Sequence, residues 1–123
     1  FTKCINEFKY FLPMSGDCWA VELQGGLKCP KETVDHLEKC IDKSSEKEFK
    51  IFACVGDDGV AYAAMDSMIG EMKKRTDYFK FAQDFNDGNI VYCVAKGGTH
   101  TYEYCYKYIY NALPDMFKHH TDN

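Results

Sequence analysis

Ile90-Val-Tyr-Cys-Val-Ala-Lys-Gly-Gly-Thr-His-Thr-Tyr-Glu-Tyr-Cys-Tyr-Lys-Tyr-Ile-Tyr110 admits two readings, and the choice between them sets the fold class. Tyr102, Tyr104, Tyr106, Tyr108 and Tyr110 alternate, the period of a strand. Ile90 to Ala95 is β-branched and aromatic, and Gly97-Gly98 can turn a hairpin between the two runs. Cys93 would then face Tyr102 and Cys105 would face Ile90, so these cysteines point to opposite faces. Equally, Tyr102, Cys105, Tyr106, Ile109 and Leu113 mark one face of a helix that Pro114 stops.

The segments upstream all carry helical signals. Cys4, Phe8, Phe11 and Leu12 share a helical face before Pro13, and Asp17 can cap a short helix over 18–24. Pro30 sits where a first helical residue belongs, with Val34, Leu37, Cys40 and Ile41 following at helical spacing. Ser45 and Glu48 form an S-x-x-E capping box, and the helix it opens carries Phe49, Phe52 and Ala53 as far as Cys54-Val55-Gly56. Asp57 or Asp58 caps the longest helix, whose apolar face is Ala61, Met65, Met68, Ile69 and Met72. An aromatic cluster, Tyr78, Phe79, Phe81 and Phe85, precedes the Asn86-Asp87-Gly88-Asn89 turn. The weight of helix upstream favours an all-α, disulfide-stapled domain of about five to six helices over residues 1–123. The alternative is α+β with a C-terminal β-hairpin at 90–110.

Seven cysteines in 123 residues point to an oxidising compartment. Outward from Cys29 the spacing mirrors itself, with Cys18 and Cys40 each 11 away, then Cys4 and Cys54 each 14 further. Two segments antiparallel about that bend would pair Cys18 with Cys40 and Cys4 with Cys54, leaving Cys93 with Cys105. Cys29 is then the odd thiol, free or joining two copies into a dimer. The chain starts at Phe1 with neither Met nor an apolar leader, the pattern expected of a mature secreted protein. No apolar run is long enough to span a membrane. The net charge of −4, with basic residues scattered among acids, argues against nucleic acid as a partner.

Several motifs touch chemistry. Gly16-Asp17-Cys18-Trp19-Ala20 resembles the neighbourhood of a papain-type nucleophile, with His100 the only plausible base, but 123 residues leave no room for a second lobe. Gly56-Asp57-Asp58-Gly59 lacks the spaced carboxylates of a calcium loop and reads as a cap and turn. His119 and His120 are candidate copper or zinc ligands. No paired carboxylates and no phosphate-cradling loop stand out, so no enzyme and no cofactor are expected.

Cys4, Cys18 and Cys40, with Lys50-Ile-Phe-Ala-Cys54 and Ala64-Met65, are similar in spacing to the tick microplusin-like and odorant-binding-like secreted proteins. That resemblance implies an all-α fold and either carriage of small hydrophobic ligands or metal sequestration in defence. The Met and aromatic excess suits the carrier, because Met repacks around apolar guests. Its expected pocket is lined by Met65, Met68, Ile69, Met72, Tyr78, Phe79, Tyr102, Tyr106 and Ile109. A secreted protein acting on a host through its surface is the third expectation.

Overall fold

Lys50-Ile-Phe-Ala-Cys-Val-Gly56 is buried from Ile51 onward, and it is a strand. In a computed structural model of the chain, residues 1–46 and 48–117 are described. The order is β1 (Tyr10–Phe11), α1 (Gly25–Lys28), α2 (Pro30–Lys43), β2 (Lys50–Gly56), α3 (Tyr62–Met72), β3 (Ile90–Ala95) and α4 (Tyr102–Phe117). The strands form one parallel sheet in the order β1-β2-β3, with Tyr10 beside Lys50 and Ile51 to Gly56 beside Ile90 to Ala95. Parallel neighbours need long crossovers, and α2 and α3 lie in them.

Alternate residues of β2 feed two cores. Ile51, Ala53 and Val55 join Val34, Leu37 and Ile41 of α2 and Met65, Ile69 and Met72 of α3. Phe52 and Cys54 join Tyr108, Ala112 and Met116 of α4 with Phe85 and Val91. The molecule is therefore layered helix, sheet, helix, and its middle strand is covered on both faces.

This overturns the all-α expectation and also the hairpin alternative. The stretch 90–110 is half of each reading, a strand to Ala95 and a helix from Tyr102. Gly97-Gly98 turns the chain away from the sheet, because β3 pairs with β2 and not with the segment from Tyr102 to Tyr110. The helix expected to end at Gly56 is β2; a strand buried on both faces shows no alternation, so Phe49, Phe52 and Ala53 matched a helical spacing by coincidence. In the expected helix over 2–12, residues 2–7 are turns that lead into β1. Helix α2 begins at Pro30 as expected, and α4 runs through Pro114 to Phe117.

The disulfide frame is also corrected. Cys4, Cys18, Cys29, Cys40, Cys54, Cys93 and Cys105 are all free thiols. The mirror spacing presumed antiparallel segments, whereas the parallel register sets Cys54 opposite Cys93. Cys40 points its sulfur at His36 Nε2, 3.6 Å away on its own helix.

Candidate active site at the carboxyl ends of the strands

All three strands point the same way, so the loops that follow them gather at one end of the sheet. In open parallel α/β sheets that end is where ligands bind. Three loops meet there: Pro13–Asp17 after β1, Asp57–Gly59 after β2, and Lys96–His100 after β3.

The second and third loops are sewn together. The amide of Asp57 donates to Ala95 O at 3.2 Å and that of Asp58 to Gly98 O at 3.0 Å. Asp57 Oδ1 in turn accepts the Gly97 N–H at 2.6 Å. Glycine permits this approach: a Cβ on Gly56 would lie 2.2 Å from Gly98 O. A Cβ on Gly59 would sit 3.7 Å from the His100 backbone nitrogen, so the Asp57–Gly59 turn abuts His100 directly. Both the Asp58 carboxylate and the His100 imidazole are exposed and make no hydrogen bond among the described residues. One loop thus presents a carboxylate and its neighbour an imidazole, the side-chain types that serve as orienting group and base in a hydrolytic triad.

Beside them lies a cleft of about 310 Å³ lined by Ser15, Asp17, Trp19, Gln24, Leu27, Val60, Ala61 and Ala64. Asp17 organises it, accepting from Trp19 Nε1 at 3.2 Å and from the Gly26 N–H at 2.8 Å. The apolar lining is unusually open, with Val60 90% and Trp19 61% exposed. Among the described residues Ser15 and Gln24, with φ of 48° and 58°, are the non-glycine residues of positive φ, and both line this cleft. Strained backbone of this kind clusters at functional sites. Ser15 follows a strand but no helix opens behind it, so it lacks the strand-turn-helix setting of a nucleophile elbow.

The expected pocket residues divide between the two faces of the sheet. Met65, Met68, Ile69 and Met72 line an apolar cleft of about 370 Å³ with Phe11 and Leu37. Phe79 is buried in the same core, and Tyr78 donates its hydroxyl to Asp42 at 3.0 Å. Tyr102, Tyr106 and Ile109 belong to α4 across the sheet; Tyr102 and Tyr106 are 85% and 72% exposed. His119 and His120 lie outside the described residues, among which no group of three or more metal-ligating side chains occurs. No helix of the described residues is long and apolar enough to cross a membrane.

No protein-family model matches the chain. Endo-1,4-beta-xylanase Y of Acetivibrio thermocellus is 36% identical over 117 residues, 94% of this chain and 10% of that protein. Two solved structures superpose closely. A serine-to-alanine mutant of the feruloyl esterase module from Clostridium thermocellum, complexed with sinapinate, matches at 34% identity and a TM-score of 0.80, over 92% of this chain and 38% of that one. The chain is similar to a feruloyl esterase module. A structure named FAE matches at 32% identity and a TM-score of 0.86, over 99% of this chain and 41% of that one. The chain therefore spans a tenth of the xylanase and about two-fifths of each structure.

These relatives overturn the likeness to tick microplusin-like and odorant-binding-like proteins, and with it the carrier, the metal-sequestering and the host-interaction readings. The expectation of no enzyme is corrected on the same ground. Sequence reading met His100 only as a base for a cysteine nucleophile and read Asp57-Asp58 as a helix cap. The missed signal was a pair of strand-like runs, 50–56 and 90–95, each followed by a glycine-flanked turn carrying a titratable side chain.

Proposed function

We propose that this chain forms the carboxyl-terminal part of an ester-hydrolysing α/β module acting on hydroxycinnamoyl esters of plant polysaccharide. His100 is the general base, taking the proton of a serine nucleophile carried outside residues 1–123 and returning it to the leaving alcohol. Asp58, unbonded to His100 here, would turn its carboxylate onto the imidazole in the working module, fixing the tautomer that accepts that proton and stabilising the imidazolium that forms. Asp57 braces the Gly97 turn on which His100 is mounted. Trp19, Leu27 and Val60 offer a stacking and apolar surface to the aromatic acyl group or the sugar that bears it.

The observation that carries this reading is the order and placement of the two groups, carboxylate after β2 and imidazole after β3, at the same end of a parallel sheet. Feruloyl esterase and xylanase relatives supply the substrate class, and such esters belong to extracellular material, in keeping with a secreted protein. The test is hydrolysis of methyl ferulate and methyl sinapinate by the full-length protein. His100→Ala should lower kcat about 10²- to 10⁴-fold, the share a general base contributes. Asp58→Asn should produce a comparable fall. Full activity in either variant would refute the assignment.

A further inference from the structure

Cys54 and Cys93 are direct partners in the β2–β3 register and share the face of the sheet that α4 covers. Neighbouring strands lie about 4.8 Å apart, inside the roughly 4.4–6.8 Å between Cα atoms that a disulfide spans. Both side chains leave the same face of adjacent strands, so the two sulfurs share the space between the sheet and α4. Cys29 and Cys40, by contrast, face Thr33 and His36 of α2. We propose that Cys54 and Cys93 are a reversible thiol–disulfide pair that closes in response to low-molecular-weight disulfides.

The two members differ in ways that assign their parts. Cys54 is 1% exposed, whereas Cys93 is half-buried and reachable. The neighbouring Cys54 thiol lowers the pKa of Cys93, while Cys93 and burial together raise that of Cys54. Cys93 is therefore the attacking thiolate and Cys54 the resolving thiol. Attack of Cys93 Sγ on a disulfide RSSR breaks its S–S bond, forms Cys93–S–SR and releases RS⁻, which takes up the Cys93 proton. Cys54 Sγ then attacks Cys93 Sγ, forming the Cys54–Cys93 bond and expelling the second RS⁻, which takes up the Cys54 proton. Two protein thiols are oxidised and one RSSR is reduced to two RSH.

Tyr108 Oη is buried without a hydrogen-bond partner among the described residues, and Cys54 and Cys105 both lie close enough to act on its ionisation. Tyr108 and Cys54 belong to the same buried cluster beneath α4. Asp115 disfavours charge on Cys93, so an uncharged oxidant is the suitable probe.

The experiment treats the native full-length protein with hydroxyethyl disulfide, alkylates the remaining thiols and maps peptides without reduction. The expected result is a mass loss of about 2 Da from two lost hydrogens, and a bridge joining the Cys54 and Cys93 peptides that dithiothreitol reopens. In Cys54→Ala, Cys93 should instead stay trapped as the mixed disulfide. In Cys93→Ala, Cys54 should stay a free thiol under native conditions. Wild-type protein in which Cys54 and Cys93 remain alkylatable while other cysteines oxidise would overturn the proposal. So would a Cys93 mixed disulfide that persists with Cys54 intact. Neither readout depends on esterase activity.

Discussion

Gly56→Ala tests how tightly the end of β2 is joined to the loop carrying His100. The added methyl would lie 2.2 Å from Gly98 O, 2.3 Å from Gly98 C and 2.7 Å from Gly98 Cα. These are backbone atoms, so no side chain can swing aside, and the two loops must part. Overpacking of this kind costs roughly 1–3 kcal/mol by itself. Parting the loops also strains three hydrogen bonds, Asp57 N to Ala95 O, Asp58 N to Gly98 O and Gly97 N to Asp57 Oδ1. At about 1 kcal/mol each, losing one or two of them brings the total to about 2–5 kcal/mol. The assay is urea unfolding of wild type and variant followed by tryptophan fluorescence, with ester hydrolysis measured on the folded fraction. The midpoint should fall with little change in slope, and activity should fall even where the variant is fully folded, because His100 moves with the Gly97–Gly98 turn. A variant with an unchanged midpoint and wild-type turnover would refute the reasoning.

Gly70→Ala is the opposite case, since nothing lies within 4 Å of a Cβ there and the residue is inside α3; it should stabilise by about 0.5–1 kcal/mol in the same unfolding assay. Phe79→Ala removes a 1%-exposed ring that stacks edge-on against Phe49, and a loss of about 3–5 kcal/mol is expected by calorimetry. Lys50→Met leaves Phe85 O and Gly88 O without the ammonium they share at 2.9 and 3.0 Å, and should cost roughly 2–3 kcal/mol, seen as a lower thermal midpoint. Hydrogen bonds from Lys31 and Arg75 hold the Asp35 carboxyl below its ordinary value of 3.8. A depressed carboxyl stabilises the fold above its unfolded pKa, and that contribution disappears as pH falls through the folded value. Asp35→Asn should therefore flatten the acid limb of the stability curve below about pH 4 and leave its shape near neutrality unchanged.

The helices on one side of the sheet were legible in the sequence. Pro30, Val34, Leu37 and Ile41 announce α2, and Met65, Ile69 and Met72 announce the buried face of α3, because each helix hides one stripe and shows another to water. In α4 the helix is legible but its face is not: Tyr108, Ala112 and Met116 are buried, while Tyr102 and Tyr106 of the expected stripe are exposed. Alternating tyrosines from Tyr102 to Tyr110, together with Ile109, Leu113, Met116 and Phe117, make several stripes equally plausible there. The strands were the harder part. β2 is apolar on both faces and carries no period, and β3 finds its partner 39 positions upstream, at Cys54 for Cys93, where no turn chemistry marks the pairing. The candidate site inherits that difficulty. Asp58 and His100 are 42 residues apart in the chain, and only the parallel register of two remote strands brings their loops together.

The two-sided burial of β2 also sets how freely the chain can change. Its residues from Ile51 to Val55 are shared walls: a larger side chain at 53 crowds α3, and one at 54 crowds α4 and Cys93. Substitutions there cannot be absorbed by a single neighbour, because relief on one face displaces backbone that the other face also uses. Tolerance is therefore graded across the fold, widest on the outer sides of α2 and α4 and narrowest along five consecutive residues of one strand. Sequence change is open to the loops beyond Gly56 and Ala95, whereas the strands that hold those loops in place have almost no freedom to drift.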